Sequence, residues 1–259
     1  MATTISSITR QGTFEPFGLQ VSRGQIQGHS TVIVFGYNPD VDTSEESVWP
    51  DGGTVPHPTV ASVLKISSSS TDDTSAGTGA RTVYIEGLDG DYAVVSETVT
   101  LNGQTAVNTT NSYLYVNNFY VVTVGSGGAN AGNINAGTGT VTSGVPAVLY
   151  DIIATGYNNR TTGHYCVPAG YTGYMTNGLF SAGQASGTTA VTGYLKQHGP
   201  DGILRVGAVA TVNNSAAVFP FDPAYAIAEK TCVGATAVGA AANNAVSSYF
   251  NIILIKNGP

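Results

Sequence analysis

The sequence predicts an all-β fold, built as two β-sandwich or jelly-roll-like modules behind an extended N-terminal arm. Three observations predict it. No long window places apolar residues at i, i+3, i+4 and i+7, and no capping box leads into such a run. Thr, Val, Tyr, Ser and Gly dominate, which favours strands and turns. Alternating apolar runs recur at roughly 8–12-residue spacing, separated by Gly, Asn, Pro or Asp. A hydrophobic fraction of 42% over 259 residues can build a packed core, whereas disorder needs low hydrophobicity and high net charge.

Residues 1–27 read as the arm, because they are polar and lack alternation. The first module is expected over 28–150. Its strands are Thr31–Tyr37, Ala61–Ser67, Thr82–Glu86, Tyr92–Leu101, Thr105–Thr109, Tyr113–Val116, Phe119–Val124 and Val145–Ile153. Asn102-Gly103 reads as a hairpin turn, since both residues tolerate positive φ, and Asn117-Asn118 reads as another. Ser67–Gly79 and Gly125–Gly144 are Ser- and Gly-rich and read as long ordered loops. The second module is expected over 151–259, with strands at Tyr165–Val167, Tyr174–Ser181, Val191–Gln197, Ile203–Thr211, Ala216–Phe221, Lys230–Ala237 and Ser247–Ile255. The last of these is too apolar for an exposed edge and should be central.

Composition excludes several function classes. The formal net charge is -7 and the nine basic residues are scattered. A nucleic-acid binder needs a concentrated positive footprint, so no nucleic-acid partner is expected. Polybasic membrane docking fails for the same reason. No segment approaches the ~20 apolar residues of a membrane helix, and the start lacks a signal-peptide pattern. A protein made in a cytoplasm, without a membrane partner, is the expectation. Cys166 and Cys232 do not make a disulfide framework. They are expected as buried thiols, with a disulfide as the alternative.

No motif carries enzymatic chemistry. GxSxG, GxGxxG and P-loop patterns are absent. His29, His57, His164 and His198 lack metal-ligand spacing, so no catalytic, cofactor or metal site is expected. Leu88-Asp89-Gly90-Asp91 has too few ligands for a calcium loop and reads as an Asp-Gly hairpin turn. Asp72-Asp73 reads as a solvated loop. Glu86 and Glu97 sit on adjacent predicted strands; paired catalytic carboxylates would have to face each other, and exposure on strands explains both. Trp49 reads as a loop anchor or an interface plug.

Two longer stretches carry a resemblance. Lys65–Asp89 contains DDTSAGTGAR and GLD, and is followed by Ser96-Glu-Thr-Val-Thr-Leu-Asn-Gly103 and by Val124-Gly-Ser-Gly-Gly-Ala-Asn-Ala-Gly132. Tyr165-Cys-Val-Pro-Ala-Gly-Tyr-Thr-Gly-Tyr174 adds a VPAGYTGY strand entry. Together they resemble a module of structural virion proteins of tailed bacteriophages. The resemblance implies a virion structural protein on the outer capsid surface, as a decoration or cement protein. Its partner would be the major capsid protein, and a homo-oligomer, a trimer, would suit a three-fold site of the shell. No active residue transfers. The alternatives are a tail, neck or fibre-associated protein, or a surface carbohydrate-binding β-sandwich. The absence of a sequence period disfavours a fibre shaft.

Overall fold

A computed structural model describes residues 15–184 and 189–258. Of the expected arm, residues 1–14 lie outside the described residues. The remainder is not extended. Pro16, its φ preset for the start of a helix, leads into α1 (Phe17–Ser22), and Val21 buries its side chain. Sixteen strands follow: β1 (His29–Val41), β2 (Glu46–Ser47), β3 (Ser62–Ser68), β4 (Ala80–Leu88), β5 (Val94–Thr100), β6 (Val107–Tyr113), β7 (Tyr115–Val124), β8 (Ile134–Thr142), β9 (Val145–Ile153), β10 (His164–Cys166), β11 (Tyr171–Gly183), β12 (Ala190–His198), β13 (Leu204–Asn213), β14 (Ser215–Ile227), β15 (Cys232–Gly239) and β16 (Asn244–Lys256). The all-β expectation holds.

Eight of these strands form one antiparallel sandwich. One sheet runs β1-β16-β11-β14, and the other runs β10-β15-β12-β13, with the short β2 also pairing to β15. The chain passes between the sheets at every step from β10 to β16 except at β12–β13, which form a hairpin within one sheet. The first and last strands lie side by side, from His29 opposite Ile255 to Val41 opposite Asn244. This is the wrapping of an eight-stranded jelly roll. Its core joins Val34, Met175, Ile227, Phe250, Ile252 and Leu254 from one sheet to Tyr165 and Val233 from the other. A second cluster continues it through Val41, Phe180, Val191, Val212, Ala237 and Val246. β16 lies between two neighbours, as its apolar run requires.

The remaining strands make a second sandwich, of sheets β6-β3-β8-β9 and β5-β4-β7. Leu64, Ile66, Val83, Ile85, Phe119, Ile134 and Ile153 fill it. The strand pairing does not follow the expected division into 28–150 and 151–259. β1 and β2 belong to the jelly roll, and the smaller sandwich is inserted between β2 and β10. Apolar alternation marks β1 as a strand, but its partner lies at the far end of the chain.

Three local readings change. Asn102-Gly103 does turn: Thr105 N–H donates to Asn102 O at 3.1 Å and Gly103 has φ 58°. Yet β5 pairs with β4 and β6 pairs with β3, so the turn passes the chain between sheets instead of closing a hairpin. Asn117-Asn118 is no turn and lies within β7. The stretch Gly125–Gly144, read as one loop, contains β8, whose Ile134 and Ala136 are fully buried. The Asp-Gly hairpin expected at Asp89-Gly90 is present between β4 and β5, with Asp91 and Ala93 N–H both donating to Asp89 Oδ1 at 2.9 Å.

Asp73 departs most from its sequence reading. It is fully buried, not solvated. Its carboxylate accepts from Ser68 Oγ at 2.5 Å, Ala80 N at 2.6 Å, Ala131 N at 2.8 Å and Gly132 N at 2.9 Å. One side chain therefore pins both Gly-rich loops to each other and to the ends of β3 and β4. Gly79 approaches so closely that a Cβ there would lie 2.1 Å from Asp73 Oδ1. Removing the carboxylate strands several buried donors, each costing about 1–3 kcal/mol. Asp73→Ala should destabilise the protein by about 3 kcal/mol or more in urea melts, whereas the exposed Asp72→Ala should stay within about 0.5 kcal/mol.

Candidate functional site

The outward face of the sheet β1-β16-β11-β14 is one candidate surface. Strand alternation sends Val32, Val34 and Gly36 inward and Thr31, Ile33, Phe35 and Tyr37 outward. The register carries an apolar row across all four strands: Phe35 lies opposite Tyr249, Tyr249 opposite Leu179, and Leu179 opposite Val218. The Phe35 and Tyr249 rings stand 5.1 Å apart. The flanking rows are Tyr37–Ser247–Ser181–Ala216 and Ile33–Asn251–Asn177–Pro220. None of these twelve positions is charged. Ile33 and Phe35 are 63% and 57% exposed on one edge strand and Val218 is 66% exposed on the other, with the half-buried Tyr249 and Leu179 between Phe35 and Val218.

A second candidate lies where the chain leaves and re-enters the jelly roll. Val48 N–H donates to Ala235 O at 2.9 Å, Gly163 N–H to Val48 O at 2.9 Å, and Ala235 N–H to Gly163 O at 2.8 Å. Here β1 crosses so closely that a Cβ on Gly36 would lie 2.7 Å from both Gly163 Cα and Val48 O. Trp49 is the plug that its aromatic character suggested. It is buried with Val55, Leu149 and Ile152, joining the exit loop to β9, and its indole N–H donates to Gly52 O at 2.6 Å.

A buried polar network ties the two sandwiches together. The Asn117 side chain of β7 mimics a neighbouring strand: its Nδ2 donates to Cys166 O at 2.8 Å and its Oδ1 accepts from Cys166 N at 2.9 Å. The Arg160 guanidinium pairs with Asp151 at 2.5 Å and donates to Asn117 O at 2.9 Å and His164 O at 3.2 Å. Asp151 also accepts from Thr162 Oγ1 at 2.7 Å and Ile152 N at 2.8 Å. Burial pushes the Asp151 carboxyl above the usual carboxylate range, against the pull of Arg160 and these donors.

The structure brings together histidines that are far apart in sequence. The His57 and His164 rings lie 4.5 Å apart, beside Tyr115. Both border a cleft of about 540 Å³, shared with His198, Lys196, Glu45 and Cys232. Burial holds His57 down at about 4, with the charges of His198 and Arg160 adding to it, and burial likewise holds His164 well below its usual value. His29 stands apart, edge-on to Phe17. Cys166 and Cys232 face each other directly across β10 and β15 and form a disulfide, in place of the expected free thiols. Strand register, not sequence spacing, puts them together.

The other flagged carboxylates separate. Glu97 lies opposite Ile85 and Glu86 opposite Ser96, so the two side chains project from opposite faces of the sheet. Glu97 accepts from Thr110 N at 2.8 Å and Asn111 N at 2.9 Å, and so holds β6 against β5. Glu86 accepts from Tyr84 OH at 2.8 Å. They do not form an acid–base pair.

No protein-family model and no curated protein matches the chain. Among solved structures, weak similarity is found to the infectious bursal disease virus VP2 subviral particle. The sequences are 11% identical over 95% of this chain and 83% of that one, with a TM-score of 0.17. The structure of the infectious bursal disease virus Gt strain gives 9% identity over 90% of this chain and 78% of that one, with a TM-score of 0.15. Likeness at this level supports no inference about fold or function.

Breaking a buried ion pair leaves an uncompensated charge, at a cost of about 3–5 kcal/mol. Arg160→Met should therefore lower stability by roughly that amount, as read in guanidinium melts. Adding Asp151→Leu to it should restore part of the loss, because no charge is then left unpaired.

Proposed function

We propose that this chain is a structural protein of a tailed-phage virion, and within it a decoration protein bound to the major capsid protein on the outside of the assembled shell. The observation that carries this reading is the face of the sheet β1-β16-β11-β14, uncharged in its three central rows and apolar in the middle one. Interface cores are depleted in charge and enriched in aromatic side chains, and the middle row of this face begins with Phe35 on the edge strand β1 and Tyr249 beside it on β16. The sequence resemblance to structural proteins of tailed phages is what favours a phage particle in this reading. The jelly roll is an architecture shared by viral capsid and lectin domains, which is compatible with the reading without establishing it.

The mechanism is mass action. A protein that binds only the assembled shell stabilises it by RT ln(1 + [L]/Kd), or about 2.7 kcal/mol per site at a concentration of 100 Kd. Trimerisation around a three-fold axis would present three copies of the same face at once. No chemistry on the shell is required.

Quantitative mass spectrometry of purified virions tests the proposal. A copy number comparable to that of the major capsid protein is expected. A copy number like that of a portal or tail component would move the chain to the neck or tail, and absence from particles would remove the virion reading. Phe35→Glu combined with Val218→Lys should abolish retention on shells while changing the melting temperature little, because both side chains are already more than half exposed.

A further inference from the structure

We propose that Cys166, Cys232 and His164 form a redox-gated site for zinc or a similar thiophilic divalent cation at the junction of the two sandwiches. The ion would bind when the disulfide is reduced. The ligand atoms of the three residues lie within 4.8 Å of one another, and all three residues are buried. His164 and Cys166 are two apart on β10 and so project from the same side of it, and Cys232 faces Cys166 from β15. The His164 Nε2 lies 3.3 Å from Cys166 Sγ. Tetrahedral zinc, with Zn–S near 2.3 Å and Zn–N near 2.0–2.1 Å, separates such a pair by about 3.5 Å. The nitrogen is thus already placed, and only the two sulfurs must move apart.

The surroundings suit an ion. Two thiolates and a neutral imidazole cancel the charge of a divalent cation, so the centre can be buried without a counter-ion. Asn117 holds both backbone polar groups of Cys166, which fixes the strand that bears two of the ligands. His164 and Cys232 border the 540 Å³ cleft, which offers an entry path and room for a fourth ligand. His57, whose ring lies 4.5 Å from that of His164, stands at the same place. Three protein ligands with one open position is a recurrent zinc arrangement.

The steps balance. Two equivalents of a small thiol reduce the Cys166–Cys232 bond, giving two cysteine thiols and one small-molecule disulfide. The cation then displaces one proton from each thiol, and both protons pass to solvent. In an oxidising medium the disulfide closes and the ion has no thiolate ligands. In a reducing cytoplasm, where disulfides are rare, the metal would take over the cross-strand tie.

The test uses the full chain, reduced with a water-soluble phosphine, freed of reductant and titrated with Co²⁺ and Zn²⁺ under inert gas. Circular dichroism reports the fold in parallel. About one Co²⁺ per reduced chain is expected, with a thiolate-to-cobalt charge-transfer band that Zn²⁺ abolishes, and with no band from the oxidised chain. His164→Ala, which keeps both thiols, should weaken Co²⁺ binding by roughly tenfold or more. The proposal is overturned if the reduced chain unfolds and takes no metal. It is equally overturned if the folded reduced chain shows no charge-transfer band, or if His164→Ala binds Co²⁺ as tightly as the parent chain.

Discussion

The pairing of β1 with β16 is the constraint on which the rest depends. It joins residues 29–41 to 244–256 across nearly the whole chain, and it makes the jelly roll complete only when both ends have arrived. Everything between β2 and β10 must then leave and return through one narrow place. The geometry shows how narrow: Gly36, Val48 and Gly163 approach within distances that leave no room for a Cβ on Gly36. Exit, return and β15 are stitched together by Val48, Gly163 and Ala235. The long-range closure carries a heavy loop-closure entropy, and local order in the inserted sandwich reduces it by shortening the effective loop.

That junction combines buried apolar clusters with buried polar groups. Leu88, Leu114 and Tyr115 pack against the Cys166–Cys232 pair, but the directional ties are the Asn117 amide and the Asp151–Arg160 pair. Apolar contacts would let one sandwich slide on the other. A side-chain amide that satisfies both the N–H and the C=O of Cys166 fixes a single register, because any shift strands two buried backbone groups. The polar network thus gives the contact between the two sandwiches directional ties that apolar packing alone does not supply.

Much of this was legible in the sequence and some was not, for definite reasons. Most strand positions, the Asp89-Gly90 hairpin and the central place of Ser247–Ile255 follow from alternation and turn chemistry, which are local, whereas β8 is hidden by its Gly- and Thr-rich composition and β7 by the Asn117-Asn118 pair within it. The Trp49 plug followed from a bulky aromatic in a turn. The partner of β1 did not, because the two strands carry no shared mark. Asp73 sits in a Ser-rich string that looks solvated, and two of its donors, Ala131 and Gly132, come from a distant loop. Asn102-Gly103 gave the turn but not the sheet its strands would join. The Cys166–Cys232 encounter depends on the register of β10 against β15, and the His57–His164 contact on the path of the loop between β2 and β3; neither is marked in the sequence.

The composition also finds a physical place. Charged residues are only 10% of the chain, and the four-stranded face uses none in its central rows. Such a sheet risks joining other sheets edge to edge. The two edge strands of this sheet resist that. β14 carries Pro220 and Pro223, and β1 carries Pro39, and proline, which lacks a backbone donor, is found in sheets at edges and bulges. The β1 edge is further covered where Tyr37 N–H donates to Thr161 O at 2.9 Å. With its edges blunted, this sheet favours contact through side chains standing on its face over strand addition. Side-chain contact is reversible and selective for a surface of matching shape, whereas strand addition is indifferent to much of the partner's sequence. The net charge of -7 opposes indiscriminate self-association of free chains. The apolar row from Phe35 to Val218 is therefore presented for contact through its side chains and not for strand pairing.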